Sequence, residues 1–72
     1  MAKNSEFKYE IKEHIATLST NEKGWSKELN LISWNDREPV FDIRTWDAEH
    51  KHMGKGITLT EEEVRILGKV LG

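Results

Sequence analysis

Three tryptophans stand close in sequence to a cation. Trp25 precedes Lys27 by two residues, Arg44 precedes Trp46 by two, and Trp34 adjoins a turn that carries Arg37. Residues i and i+2 of an extended strand share a face, so each of the first two pairs sets an indole beside a positive charge. Indoles offer flat surfaces on which unpaired bases stack, worth about 1–3 kcal/mol per base, and Lys or Arg beside them neutralises the intervening phosphates. Single-stranded nucleic acid needs that combination, because every base has a π-face and every linkage a charge. A duplex hides its bases. Stacking does not inspect the 2′ position, so RNA stays open beside DNA. Trp and Arg also make the hot spots of protein interfaces, and a protein-interaction module is the alternative from another class. Trp on strands also serves plain packing. Trp34 shares a face with Ile32, whereas Leu29 and Leu31 take the opposite one.

Nothing else in the chain calls for chemistry. The only histidines are His14, His50 and His52, and their spacing matches no established metal site. The chain has no cysteine, which removes disulfides, thiolate ligands and a thiol nucleophile. No nucleotide-binding glycine motif is present, and Gly54-Lys55-Gly56 is too short to cradle a phosphate chain by itself. We therefore expect neither enzyme activity, nor a metal, nor a cofactor. The net charge of −2 argues mildly against nucleic acid, but binding depends on where the charges sit. The longest apolar runs are two residues, which excludes a spanning helix. Residues 1–6 hold no apolar stretch, so no signal peptide is expected, and a cytoplasmic, nucleoid-associated place fits the lack of cysteine.

The elements that must position these residues follow from hydropathy period. Residues 7–20 alternate, with Phe7, Tyr9 and Ile11 against Lys8, Glu10 and Lys12, and the alternation slips between Ile15 and Leu18, where a bulge would restore it. Residues 21–24 form a turn with Gly24 at positive φ, and residues 25–35 form the second strand. After a turn at 35–38, Pro39 opens a strand over 40–46, with Phe41, Ile43 and Thr45 on one face and Val40, Asp42, Arg44 and Trp46 on the other. A buried layer behind Phe41 and Ile43 would leave Arg44 and Trp46 on an open face. A polar loop over 47–54 leads to a short strand at 56–59. Thr60 with Glu63 makes a capping box, and Glu61 and Glu62 favour the positive end of the helix dipole, so the acidic triplet has a local reason. In the helix 61–71, Val64, Ile66, Leu67, Val70 and Leu71 cover roughly a 160° arc, wider than one contact surface needs. The surplus predicts a second copy of the same helix. A chain of 72 residues is one small domain, 1–72, and about 60% burial makes a lone core marginal, which also favours a partner subunit. The fold class is α+β: a four-stranded antiparallel sheet, then a C-terminal helix, in a homodimer packed through the helices.

The stretch from Gly24 to Leu71 resembles the positive cofactor four family of single-stranded-DNA-binding transcriptional coactivators. The residues that carry it are Gly24-Trp25-Ser26-Lys27-Glu28-Leu29-Asn30-Leu31, Phe41-Asp42-Ile43-Arg44 with an aromatic after it, Gly54-Lys55-Gly56-Ile57-Thr58-Leu59, and the acidic helix start. The resemblance points to a bacterial member and implies a dimer that binds single strands across its sheets with little sequence preference. Basic ligand positions of the family fall on Lys27, Arg44 and Lys55, and stacking aromatics fall near Trp34 and Trp46. Trp25 sits where the family often has a basic residue, which moves the balance toward stacking. The first segment is longer than the family usually shows. The expected ligand set is Lys23, Trp25, Lys27, Trp34, Arg37, Arg44, Trp46 and Lys55, with Lys12 a lesser member. Protection of exposed strands in transcription, replication or repair is the expected role.

Overall fold

A computed structural model describes residues 8–72. Phe7 and the stretch 1–6 lie outside the described residues. The order is β1 (Tyr9–Thr20), β2 (Ser26–Trp34), β3 (Val40–Trp46), β4 (Met53–Leu59) and α1 (Glu61–Leu71). The strands form one sheet in sequence order, and every neighbouring pair is antiparallel. β4 starts at Met53, earlier than the 56–59 expected, because Gly54 and Gly56 let it lie close against β3. A Cβ at Gly56 would collide with the Arg44 side chain and come within 2.5 Å of the Ile43 carbonyl oxygen.

Short local signals set the turns. At the β1–β2 turn the Asn21 side chain accepts from the Lys23 and Trp25 amides, at 2.9 and 3.0 Å, and Gly24 takes φ 87°. Between β2 and β3, Asn35 and Asp36 both take positive φ and the Arg37 amide donates to the Trp34 carbonyl, the turn whose twist matches a hairpin. β1 carries three register shifts against β2, at Ile11/Glu13, His14/Ala16 and Thr17/Ser19. The last two bracket the slip seen in the sequence; the first falls where alternation looked regular. Lys12, Ile15 and Leu18 are the extra residues.

The helix begins as the capping box predicts. The Glu63 amide donates to Thr60 Oγ1 at 3.1 Å, and the Thr60 amide donates to Glu63 Oε1 at 2.8 Å. Loss of such a cap typically costs about 1 kcal/mol. Val64, Leu67 and Leu71 of α1 meet Leu29, Ile43 and Leu59 of the sheet across an apolar groove. Ile66 and Val70 lie outside this groove, and much of the arc stays exposed: Ile66, Leu67, Val70 and Leu71 all show surface, Leu71 by 81%.

The two faces of the sheet reverse the expected roles. Leu29, Leu31, Phe41 and Ile43, on the helix side, are only half-buried. The opposite face, expected to be open, holds Glu28, Asn30, Ile32, Asp42 and Trp46, all buried. The helix is too narrow to cover its side of the sheet. On the other side, Tyr9 and the β3–β4 loop fold over the strand ends, and the polar residues there satisfy one another.

Candidate nucleic-acid interface

Register decides which predicted residues meet. Glu28 faces Arg44, Asn30 faces Asp42 and Tyr9 faces Trp34, so one face collects Tyr9, Trp34, Arg44 and Trp46. Lys27 pairs with Thr45 on the helix face. The Trp25 ring lies on that side too, near where a Cβ of Gly54 would project. The Trp25–Lys27 and Arg44–Trp46 pairs therefore stand on opposite faces of the sheet.

Trp46 is corrected. It has no exposed surface, and its ring is held between Tyr9, at 5.4 Å, and His50, at 5.5 Å between centroids. A ring so covered stacks on protein, not on a base. The hydroxyl of Tyr9 also donates to the His50 carbonyl, at 2.9 Å, which ties the loop to the first strand. Trp34 is half-buried, with the Arg44 guanidinium carbon 5.0 Å from its ring centroid and Tyr9 tilted against it at 5.9 Å. Trp25 is also half-buried.

Arg44 is held before any ligand arrives. Its Nε and one terminal nitrogen donate to the two oxygens of Asp42, at 2.7 and 2.9 Å, and its other terminal nitrogen donates to the Gly54 carbonyl at 3.3 Å. Asp42 is fully buried, so the planar fork is locked by a carboxylate that has no other outlet. By contrast, Lys23, Lys27, Arg37 and Lys55 are exposed and form no ion pair among the described residues. Lys12 is paired with Glu10 at 3.2 Å, and Lys8 with Asp36 at 2.9 Å; the hydrogen bond and charge of Asp36 raise the Lys8 ammonium above its ordinary value.

Sequence reasoning passed over a polar chain on the same face. Thr17 Oγ1 lies 3.1 Å from His14 Nε2, His14 Nδ1 lies 2.7 Å from Asn30 Oδ1, and Asn30 Nδ2 donates to Glu28 Oε1 at 3.1 Å. His50 Nε2 reaches both Glu28 oxygens at 3.0 Å. The available signal was the period-two spacing of Glu28 and Asn30 with Ile32. The loop that carries His50 is pinned by Asp47, which accepts from the Lys51 amide and from His52 Nδ1. The His52 hydrogen bond, with the loop amides, lowers the Asp47 carboxyl from 3.8 to about 2. No group of three or more residues suited to a metal occurs among the described residues.

The family model for Transcriptional Coactivator p15 (PC4) matches residues 21–70. The chain belongs to the PC4 family. The match runs from the β1–β2 turn into the last turn of the helix and includes every expected ligand residue except Lys12, which stands on β1. An uncharacterized protein of Treponema pallidum (strain Nichols) is 47% identical over 68 residues, covering 94% of this chain and 80% of that protein. PC4 membership makes this a DNA-binding, coactivator-like chain of a non-enzymatic family.

Proposed function

We propose that the protein binds single-stranded DNA as a homodimer, with little dependence on sequence over most of its track. The observation that carries this reading is the presence of four exposed cations, Lys23, Lys27, Arg37 and Lys55, that form no ion pair among the described residues, together with two half-buried indoles, Trp25 on the helix side of the sheet and Trp34 on the other. The cations take phosphates. The indoles take bases. Arg44, held by Asp42, orients the Trp34 ring as much as it offers charge, and Trp46 supports the fold beneath. The second subunit covers Ile66 and Val70 and brings a second set of cations. The cellular role is to hold exposed single strands during transcription, replication or repair.

The test is a titration with a thymidine oligomer of about twenty nucleotides, followed by Trp fluorescence at several salt concentrations, with a duplex of equal length and the matching RNA as controls. Four phosphate contacts per protomer, eight in the dimer, give a slope of log affinity against log salt of about −6 when the strand spans both subunits. Quenching by the single strand but not the duplex, with that slope, supports the reading. An RNA strand bound more tightly than its DNA counterpart moves the ligand to RNA. No response at low salt overturns the reading and turns the half-buried indoles Trp25 and Trp34 toward a protein partner.

A further inference from the structure

Trp34 closes β2 beside the turn at 35–38, a place where an indole ordinarily keeps freedom about its side-chain bonds. Here a group from each neighbouring strand rests on it. Tyr9 of β1 stands opposite it in the ladder, with ring centroids 5.9 Å apart, and the guanidinium carbon of Arg44 of β3 lies 5.0 Å from its centroid. Both groups are fixed at an end that does not touch Trp34. Asp42 and the Gly54 carbonyl hold Arg44. Tyr9 is held along its whole length. Its backbone is zipped beside the pair, where the Asn35 amide donates to the Lys8 carbonyl at 2.7 Å and the Lys8 amide donates to Asn35 Oδ1 at 2.9 Å. Its ring also packs on the fully buried Trp46, at 5.4 Å. Its hydroxyl donates to the His50 carbonyl at 2.9 Å.

The acceptor of that last bond is itself anchored. His50 takes φ 60°, in the left-handed region that a side chain rarely adopts without a reason. Its amide donates to the Asp47 carbonyl at 3.0 Å, its Nε2 lies 3.0 Å from both oxygens of the buried Glu28, and its ring lies 5.5 Å from Trp46. A hydroxyl bonded to a loose loop would fix nothing. This one ends on a backbone that Glu28, Asp47 and Trp46 hold, so a run of contacts leads from inside the sheet to Tyr9 and from Tyr9 to Trp34.

We propose that Tyr9 is a positioning residue for single-strand binding: with Arg44 it fixes the Trp34 indole before a strand arrives, so that stacking orders no ring. The proposal rests on the single-strand reading above and deepens it at a residue that precedes the family match. Ordering a loose side chain on binding weakens affinity by about threefold to tenfold, and that is the gain Tyr9 supplies for each protomer the strand engages. Tyr9 carries no charge, so its replacement leaves the salt dependence unchanged.

The experiment measures binding of a fluorescein-labelled thymidine 12-mer by anisotropy at several salt concentrations, with each variant checked for folding by circular dichroism. Tyr9→Leu is expected to bind about threefold to tenfold more weakly per engaged protomer with the wild-type salt slope, and Tyr9→Phe, which keeps the ring, to bind within about twofold of the wild type. In a Trp34→Ala background, Tyr9→Leu should change affinity by less than about twofold, because the ring it positions is gone. A loss of the same size in both backgrounds overturns the proposal, since Tyr9 then acts through general stability or meets the strand itself. Tyr9→Phe as weak as Tyr9→Leu also overturns it, since the hydroxyl and not the ring then carries the effect. The Trp34 indole N–H order parameter of the free protein is a second measurement, expected at about 0.85 in the wild type and below about 0.6 in Tyr9→Leu. If Tyr9→Leu does not fold, the wild-type value carries the test, and an indole below about 0.6 before any strand is added overturns the proposal. Wild-type affinity retained by a folded Tyr9→Leu overturns the positioning role while leaving single-strand binding intact. Failure of the wild type to bind the 12-mer overturns the single-strand reading itself.

Discussion

Replacing Trp46 separates a packing role from a ligand role. The residue is fully buried, and removing a buried Trp to Ala costs about 3–5 kcal/mol from lost burial and the cavity left behind. A domain of this length has a total stability of about 4–11 kcal/mol, so Trp46→Ala removes a large part of it. At about 4–8 °C per kcal/mol, the melting temperature falls by at least about 12 °C. Trp46→Phe behaves differently. It deletes two ring carbons, about 1.6 kcal/mol of burial at the usual value per buried carbon. It also deletes an indole N–H that is buried with no acceptor among the described residues, a group that costs about 1–3 kcal/mol to leave unpaired. The two terms nearly cancel, so the Phe variant should melt within about 8 °C of the wild type. Thermal and urea denaturation by circular dichroism measure both variants, and anisotropy with a thymidine oligomer measures binding wherever each is folded. Both folded variants should bind within about twofold of the wild type. An Ala variant that keeps its melting temperature but binds tenfold more weakly would refute the reasoning, because the ring would then act at the ligand surface.

Asp42→Asn leaves Arg44 with half of its two-point partner. Arg44 keeps the Gly54 carbonyl and a side chain 16% exposed, so the loss should be about 2 kcal/mol, below the 3–5 kcal/mol of a wholly enclosed pair; unchanged urea stability would sink this account. The Asp47 carboxyl is lowered to about 2 in the folded chain from an ordinary 3.8, so its hold on the β3–β4 loop is fully present above about pH 4 and is lost as the pH falls through about 2. Asp47→Asn should abolish that dependence; the check is exchange of the Lys51 and His52 amides, which must quicken in acid for the wild type and show no acid step in the variant. Val70→Lys places a charge on the exposed helix row and should shift sedimentation from dimer to monomer with the capping box intact; a persistent dimer removes the helices from the interface.

The strand order, the turns and the helix start were legible because each has a short-range cause. Gly24 at positive φ, the Asn35-Asp36 pair and the Thr60–Glu63 box all act within four residues. The faces were not legible. Alternation places Asp42, Arg44 and Trp46 on one side of β3 but does not tell which side is covered. That depends on Tyr9 and His50, which are 41 residues apart and joined by a hydrogen bond. The same holds for Glu28, which looks like a solvated residue in its strand and is buried because donors reach it from β2 and the distant loop. Lys23, Lys27 and Lys55 are exposed, as expected of long polar side chains that rarely find internal partners. Trp46, expected on an open face, is buried, because its size makes it as useful inside as outside.

The three register shifts of β1 have a consequence for how chains meet at high concentration. An outer strand is a row of unsatisfied amide and carbonyl groups, a template onto which another chain can add. β1 never runs more than three residues in matched register before a shift interrupts it. An incoming regular strand would lose its ladder at each interruption, so this border of the sheet resists growth by strand addition. The border at β4 has one shift, near Trp46, and pairs regularly from Gly56 to Leu59. Accretion of further strands, and any fibril built from native chains, should therefore start at β4, where Ile57 is exposed, and leave the longer strand untouched.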